Sequence, residues 1–195
     1  MMNLLASPPL ITADEFLRLP DEADYELVDG KLVERHMGVK SSYIGGRLLR
    51  LLGAYCENPF IGWVLPADAS YQFFPDRPNL VRKPDVSFIR AGRLPNEVLP
   101  EGHARLAPDL VVEVVSPNDT FYEVAQKMAE YRIAQVRLVW LVIPPTRTVQ
   151  IRRLDGSLVE IGEEGELTGE DVVPGFRCSL RELFQPPTAT TPPAE

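Results

Sequence analysis

Three acidic residues interrupt stretches of the sequence that otherwise predict β-strands. Glu26 lies in YELV, Asp85 follows a proline in KPDV, and Glu113 lies inside the aliphatic run LVVEVV. An isolated charge in an apolar interior is too costly to persist, so Glu113 above all must be paired, hydrogen-bonded or bound to a cation. Carboxylates that converge repel each other unless a cation lies between them, and Mg²⁺ suits such a site because it takes carboxylate oxygens and keeps several waters. These acids therefore indicate divalent-metal chemistry.

Lys127 adds a positive group to this set, because it lies on the helix predicted directly after the Glu113 strand. Beside a metal ion, a lysine can orient an attacking water or stabilise negative charge that develops on a phosphate. Each residue also has a structural interpretation. Glu26 would be the solvent-facing half of an alternating strand, Asp85 a hydrogen-bonded acid at a strand end, and Lys127 the partner of Glu123 four residues earlier on a helix. Both interpretations stay open at this point.

The element that positions Glu113 is a predicted buried strand over 109–115. Its almost continuous Val and Leu residues are typical of a strand that is covered on both faces of a sheet. A helix is predicted over 120–134, and a second buried strand over 136–143 follows it directly. A strand, a helix and a strand in this order predict a βαβ unit with a parallel strand pair and a right-handed crossover.

Further elements surround this unit. The helix over 120–134 is expected to begin at an Asn118 or Asp119 cap and to bury Val124, Met128, Tyr131 and Ile133. The other predicted elements are a short helix from the Thr12/Glu15 capping box, hairpins at 25–34 and 148–161, a helix at 41–55, strands within 62–74 and 79–89, and a closing helix at 179–184. This order predicts a central mixed β-sheet flanked by helices, of the α/β or mixed α+β class, with an added N-terminal helix and hairpin.

Length and charge limit the organisation of the chain. The 195 residues suit one domain, which we expect at residues 11–184, between a flexible arm at 1–10 and a disordered Pro/Thr-rich tail at 185–195. The net charge of −8 argues against a broad nucleic-acid-binding surface. Six basic residues remain candidates for a local basic rim: Arg82, Lys83, Arg90, Arg93, Arg105 and Arg132.

Several other classes of protein are not indicated. Two widely separated cysteines, Cys56 and Cys178, predict buried free thiols and fit a reducing cytoplasm. No stretch approaches the about 18 consecutive apolar residues of a transmembrane helix, so no membrane partner is expected. A Walker-type loop, a GxGxxG motif and zinc-ligand spacing are all missing from the sequence, so no nucleotide cofactor is expected.

The arrangement of the acids resembles the signature of PD-(D/E)XK nucleases, in which Pro84-Asp85 is followed by Glu113-Val-Val115. Within that superfamily the chain resembles the Uma-two family of restriction endonuclease-like proteins. The matching segments are YELVDGKLVE (25–34), VRKPDVSFI (81–89), APDLVVEVVSP (107–117), KMAEYR (127–132), VWLVIP (139–144) and VPGFRCSLRELF (173–184). They extend over nearly the whole predicted domain.

This resemblance implies a restriction-endonuclease-like core with a Mg²⁺ (or Mn²⁺) site at the edge of the sheet. Asp85 and Glu113 match the metal-binding acids, and Glu26 matches an additional acid from the first hairpin. The superfamily's lysine normally lies two residues after the second acid, where this chain has Val115, and Lys127 matches a lysine that has moved to the following helix. Tyr131 falls on the same helical face and is expected to line the pocket.

Two hypotheses for the function follow from the sequence. The first is a Mg²⁺-dependent endonuclease that acts on DNA, with Glu26, Asp85, Glu113 and Lys127 as catalytic residues. Ser116, after the central strand, would then contact water in the site, although a role in the turn is the alternative. The second hypothesis is a catalytically inert nuclease fold that serves as an oligomer or partner-binding module, which the acidic balance favours. A homodimer is expected in either case.

Overall fold

The fold is built on a six-stranded mixed sheet. A computed structural model describes residues 9–36 and 38–186 of the chain. The sheet has the strand order β3-β4-β5-β6-β7-β8, in which β5 and β6 are parallel and the other neighbours are antiparallel. Its strands are β3 (Gly62–Pro66), β4 (Val86–Arg90), β5 (Leu110–Val114), β6 (Leu138–Ile143), β7 (Thr148–Arg153) and β8 (Leu158–Ile161).

Four helices and two small hairpins complete the described part of the chain. The helices are α1 (Ala13–Phe16), α2 (Val39–Glu57), α3 (Phe121–Ile133) and α4 (Leu180–Phe184). The hairpins pair β1 (Tyr25–Val28) with β2 (Lys31–Glu34), and β9 (Glu166–Thr168) with β10 (Arg177–Ser179). None of the helices found in these residues is long and apolar enough to cross a membrane.

The predicted βαβ unit is confirmed as β5, α3 and β6. Its two strands lie in register with Val112 opposite Trp140. Val112 and Trp140 belong to the larger apolar cluster on the α2 face of the sheet, whereas Val111 belongs to a cluster with Tyr131 of α3 on the other face. Both faces of the central strands are therefore covered, which explains why their sequences lack the alternation of half-exposed strands.

Helix α2 covers one face of the sheet through a stripe of buried residues at helical spacing. Ile44, Leu48, Leu52 and Cys56 recur every four residues and are all buried. Gly45 lies in the same stripe, and a Cβ atom there would come within 3.9 Å of Val114 and of Asp85. The helix therefore packs closely against the end of the sheet where the candidate acids lie.

The β1–β2 hairpin brings Glu26 to this end of the sheet. Asp29 and Gly30 form its turn with φ angles of 49° and 81°, which fits the predicted type I′ geometry. Leu27 and Val81 exchange backbone hydrogen bonds of 2.7 and 3.1 Å. Because successive strand residues point to opposite sides, Glu26 faces away from the cluster that buries Leu27.

Two predicted strands are shorter than expected. The strand within 62–74 ends at Pro66, and the strand within 79–89 begins only at Val86. Four prolines lie at or between these ends: Pro66, Pro75, Pro78 and Pro84. Proline has no N–H to donate to a sheet ladder, so a continuous strand cannot form through this segment.

Two details of the α3 prediction are wrong. The N-cap is Thr120, not Asn118 or Asp119: its hydroxyl accepts the Glu123 N–H at 3.2 Å, and the Glu123 carboxylate accepts the Thr120 N–H at 3.0 Å. Ile133 is 68% exposed. It lies two positions after Tyr131, which turns it about 200° around the helix axis and away from the sheet.

The predicted arm at 1–10 and tail at 185–195 lie mostly outside the described residues. Only residues 9 and 10 of the arm and residues 185 and 186 of the tail are described. The single domain at 11–184 stays a prediction. The two predicted free thiols, Cys56 and Cys178, are confirmed as buried and unbridged.

We expect Leu48→Ala to lower the free energy of unfolding by about 2–5 kcal/mol, because a fully buried side chain on α2 is removed and a cavity remains. Urea denaturation measures this loss. Arg50→Ala, at an exposed position of the same helix, is the control and should change the stability by less than about 0.5 kcal/mol. Equal effects of the two substitutions would contradict the packing of α2 described here.

Candidate active site

The candidate site begins where β4 and β5 stop pairing. The last pair in their register is Val86 with Val112. One residue beyond it, the Asp85 carboxylate accepts the backbone N–H of Val114 at 2.7 Å through Oδ2. The side chain thus satisfies a strand donor at the point where the two strands separate, and its other oxygen, Oδ1, remains 4.0 Å from Arg35 Nη2.

Helix α3 delivers two side chains to Glu113, the next residue of β5 after Val112. The Tyr131 hydroxyl donates to Glu113 Oε1 at 2.5 Å, and Lys127 Nζ lies 3.5 Å from Glu113 Oε2. Lys127 and Tyr131 are four residues apart and therefore share one face of the helix. That face contacts β5, so the two side chains reach the strand that precedes their helix.

Glu26 enters the site from the hairpin and contacts the same lysine. Its Oε2 atom lies 3.2 Å from Lys127 Nζ and accepts Arg82 Nη1 at 2.9 Å. Its Oε1 atom accepts the backbone N–H of Lys83 at 2.8 Å. Both oxygens of Glu26 are therefore already occupied by donors from the protein.

These side chains surround an open cavity of about 280 Å³. The side chains of Asp85, Glu113 and Lys127 keep 14%, 11% and 23% of their surface exposed. The residues that line the cavity are Glu26, Val28, Val33, Glu34, Arg35, His36, Arg82, Lys83, Asp85, Glu113, Val114, Asp119, Tyr122, Glu123, Gln126 and Lys127. Acidic residues outnumber basic ones in this lining, so the cavity favours a cation.

The two glutamates of the site differ in their ionisation. Burial raises the pKa of Glu113 to about 7, and the negative charges of Asp85 and Glu26 add to this effect, while Lys127 opposes it. Burial also acts on Glu26, but Lys127 and Arg82 outweigh it and lower its pKa below the ordinary value of 4.5. Burial raises the pKa of Asp85, partly offset by the Val114 N–H and by Lys127. Glu26 is therefore the permanent anion, and Glu113 is an acid that gives up its proton near neutrality.

The donor set of the site fits a hydrated divalent cation. Across residues 9–36 and 38–186, no group of three or more His, Cys, Asp or Glu side chains is placed to hold a metal ion. Asp85 and Glu113 remain as a pair of carboxylates that face an accessible cavity. Mg²⁺ is usually bound through one or two carboxylates and keeps its other positions for water, and Mn²⁺ accepts the same ligands. The pair therefore suits these ions better than an ion that needs full coordination by the protein.

Four of the residues singled out from the sequence line one cavity: Glu26, Asp85, Glu113 and Lys127. Tyr131 does not line it, contrary to the expectation, because it is fully buried and its hydroxyl reaches Glu113 from the interior. The structural interpretation of Lys127 is wrong, because Glu123 pairs with the Thr120 cap and Lys127 pairs with Glu26 and Glu113.

Ser116 is not brought to the site. It is buried, its backbone N–H donates to Asp119 at 2.7 Å, and it does not line the cavity. The turn role is the one that the structure supports, because the chain bends sharply after β5 and the Asp119 side chain satisfies the backbone there.

Sequence reasoning misplaced Arg82 and Lys83, which were candidates for a basic rim. Both are buried: Arg82 pairs with Glu26 and Glu130, and the ammonium of Lys83 pairs with Glu22. The sequence contained one signal of this burial, because the two cations are adjacent in a segment that otherwise predicts a strand. Successive strand residues point to opposite faces, so at least one of the two side chains must face the interior. Their acidic partners lie far away in the sequence and could not be identified from it.

Comparison with solved structures identifies the class of the fold. The crystal structure of a "putative nuclease belonging to DUF820" from Anabaena variabilis matches with a TM-score of 0.74, covering 89% of this chain and 97% of that chain at 22% sequence identity. The mixed sheet with its helices is therefore a nuclease-type fold, as the sequence predicted. A comparison with curated proteins found no match.

A family profile agrees with this class. The profile of Uma2, described as "Putative restriction endonuclease", matches residues 13–181. The chain belongs to the Uma2 family, which confirms the resemblance found in the sequence. The description of the family supports a nuclease, that is, a hydrolase that acts on ester bonds.

We expect the stabilising effect of Glu26 to be lost in acid. Its pKa in the folded protein lies below the ordinary value of 4.5, so the unfolded chain takes up the proton first as the pH falls. The difference in unfolding free energy between wild type and Glu26→Gln should therefore be greatest above about pH 5 and shrink steadily below pH 4.5. Urea denaturation at a series of pH values measures it, and a difference that is constant from pH 7 to pH 3 would contradict the ion pairs of Glu26.

Proposed function

We propose that this protein is a Mg²⁺-dependent endonuclease that hydrolyses phosphodiester bonds in DNA. The observation that carries the proposal is the placement of Asp85 and Glu113 at the separation of β4 and β5, beside the Lys127 ammonium and open to one cavity. Two carboxylates and one ammonium around a cavity match the needs of phosphodiester hydrolysis, in which both a metal ion and a developing negative charge must be stabilised.

Asp85 and Glu113 are the residues that would hold the ion. Mg²⁺ or Mn²⁺ bound there would polarise a phosphate oxygen and make a coordinated water more acidic. Glu113, whose pKa burial raises to about 7, would have to be deprotonated to hold the ion, so binding there would release a proton below that pH. Tyr131 keeps its proton, since burial and Glu113 raise its pKa well above 10, and it orients the carboxylate by donating to Oε1.

Lys127 acts as a charged donor and not as a base. Burial lowers the pKa of an ammonium, but Glu113 and Glu26 outweigh that effect and raise the pKa of Lys127 above its ordinary value of 10.5. The group therefore stays protonated at neutral pH and can donate hydrogen bonds to an attacking water or to a phosphate oxygen. Glu26 is the accessory acid of this proposal, and it acts by holding Lys127 and not by binding the ion, since its own oxygens are occupied.

The inert partner-binding module is the second candidate. The burial of Arg82 and Lys83 favours it, because these two cations are unavailable to contact DNA phosphates and the chain carries a net charge of −8. Calorimetric titration with Mg²⁺ or Mn²⁺ separates the two functions, since an inert module has no need of an intact cation site. Affinity weaker than millimolar in the wild-type protein would favour the module.

Two further aspects of the proposal concern its setting. Cytoplasmic localisation is supported by the two unbridged thiols, which persist in reducing compartments. Homodimerisation is supported by β8, an edge strand of the sheet on which Leu158 and Val159 are nearly half exposed.

We expect Asp85→Asn and Glu113→Gln each to abolish Mn²⁺ binding at submillimolar concentrations and to reduce DNA cleavage by about a thousandfold or more, because the ion supplies several kcal/mol of charge stabilisation. Calorimetry and a gel-based cleavage assay measure these effects. Glu160→Gln is the matched control, since Glu160 is an exposed acid on β8, and it should leave both unchanged. Robust cleavage by both site variants would refute the proposal.

We expect the affinity for Mn²⁺ to rise about tenfold per pH unit up to about pH 7 and to level off above it. The pKa of Glu113 is raised to about 7, so below that pH the ion must displace one proton from the carboxyl group. Calorimetry between pH 5.5 and pH 8.5, in buffers of different ionisation enthalpy, measures both the affinity and the number of protons released. An affinity that does not change over this range would contradict the release of a proton from Glu113 on binding.

A further inference from the structure

Arg82 and Glu130, which were not among the candidate site residues, are connected to Lys127 through a closed ring of charges. Lys127 Nζ lies 3.2 Å from Glu26 Oε2, and Glu26 Oε2 accepts Arg82 Nη1 at 2.9 Å. Arg82 Nε donates in turn to Glu130 Oε2 at 2.6 Å. Glu130 lies three residues after Lys127 on α3, so the helix itself closes the ring.

We infer that Arg82 and Glu130 are positioning residues that hold the Lys127 ammonium at the candidate active site. This inference rests on the proposed function and deepens it. Glu130 does not line the cavity, and Arg82, which does, is only 3% exposed and donates its guanidinium N–H groups to Glu26 and Glu130. Their effect reaches the reaction only through Glu26 and Lys127.

The burial of the ring explains why its geometry is restricted. Glu26, Arg82 and Glu130 are each no more than 3% exposed, and the ring contains two anions and two cations. Buried charges are tolerated only with well-placed partners, and the removal of one partner leaves the others uncompensated. Arg82 bridges the two glutamates, because its planar guanidinium donates hydrogen bonds from several fixed positions.

The ring also joins three separate parts of the chain. Glu26 belongs to the β1–β2 hairpin, Arg82 to the segment before β4, and Glu130 and Lys127 to α3. Lysine has a long and flexible side chain, so without fixed partners its ammonium would sample many positions. The ammonium of Lys127 contacts Glu26 and Glu113 directly, whereas Arg82 and Glu130 act on it through the Glu26 carboxylate that they hold in place.

Glu130 has further contacts that fix its own carboxylate. Its Oε1 atom accepts Arg77 Nη1 at 3.0 Å and Gln126 Nε2 at 3.2 Å. Arg77 makes two additional hydrogen bonds of 2.8 Å to the carboxylate of Asp29 in the hairpin turn. Glu130 thus links the hairpin turn, through Arg77, to Arg82. We therefore expect the loss of the Glu130 carboxylate to release Arg82, and through Glu26 to release Lys127.

The first test separates positioning from simple stabilisation. We expect Glu130→Gln to lower kcat for DNA cleavage by about 10–100-fold while KM and Mn²⁺ affinity change by less than about twofold. In a Lys127→Met background, the same substitution should change kcat by less than about twofold, because its effect passes through Lys127. Equal losses of kcat in the two backgrounds would overturn the inference.

Asp109→Asn is the matched control for this test. Asp109 is also buried and paired, with Arg93 Nη1 at 2.8 Å, but it lies outside the cavity. It should lower the melting temperature without lowering kcat.

Arg82→Lys is the second variant for this test. It keeps the charge and the fold but cannot reach both glutamates, so it should reproduce the loss of kcat. Unchanged kcat in a folded Arg82→Lys variant would also overturn the inference.

The second test needs neither metal nor activity. Trace acetylation of the metal-free protein, followed by mass spectrometry, compares Lys127 with the exposed Lys31 as an internal reference. A protonated amine held between carboxylates does not react with the reagent. In the wild type, Lys127 should therefore be modified about tenfold more slowly than Lys31. In Glu130→Gln, Lys127 should be modified about tenfold faster than in the wild type. If Glu130→Gln does not change the modification rate of Lys127, the positioning role is refuted. If the wild type shows this protection of Lys127 but cleaves no DNA, only the proposed function is refuted.

Discussion

The ammonium of Lys127 lies between two buried carboxylates, 3.2 Å from Glu26 and 3.5 Å from Glu113, and the site depends on this contact. Without that positive charge, burial would favour the protonated form of both glutamates. With it, Glu26 remains ionised, and the pKa of Glu113, which burial raises, is held to about 7. The Lys127 ammonium therefore joins the hairpin, the central strand and α3, and it also influences the ionisation of the two glutamates in the cavity.

The fold supplies the geometry for this contact with few elements. The crossover from β5 through α3 to β6 places the helix over the strand that precedes it, so side chains of α3 meet Glu113. The separation of β4 from β5 after the Val86–Val112 pair opens the end of the sheet, and Asp85 satisfies the backbone donor that is left there. The fold thus produces a polar cavity at the end of the sheet where β4 and β5 are no longer paired, although β5 and β6 remain paired there.

Much of this site was predictable because its signals are local. Glu113 stands out as an acid in an aliphatic run, and the spacing of Lys127 and Tyr131 puts both on one helical face. Glu26 and Asp85 also stand out as acids that interrupt predicted strands, and the resemblance to the Uma-two family added the roles that they are expected to have. Ser116 could not be decided in the same way, since a serine after a strand suits a turn as well as a site, and only the Asp119 contact distinguishes the two.

The sequence by itself determined the elements whose causes are local: the Asp29-Gly30 turn, the Thr12 capping box and the strand–helix–strand order around Glu113. The partners of the buried charges were decided only by the tertiary structure. Arg82 reaches Glu130 across 48 positions and Glu26 across 56, so nothing in its neighbourhood shows whether it faces solvent or completes a buried ring. Electrostatic interactions depend on distance in space and on local burial, and both are set by how the hairpin and α3 pack against the sheet.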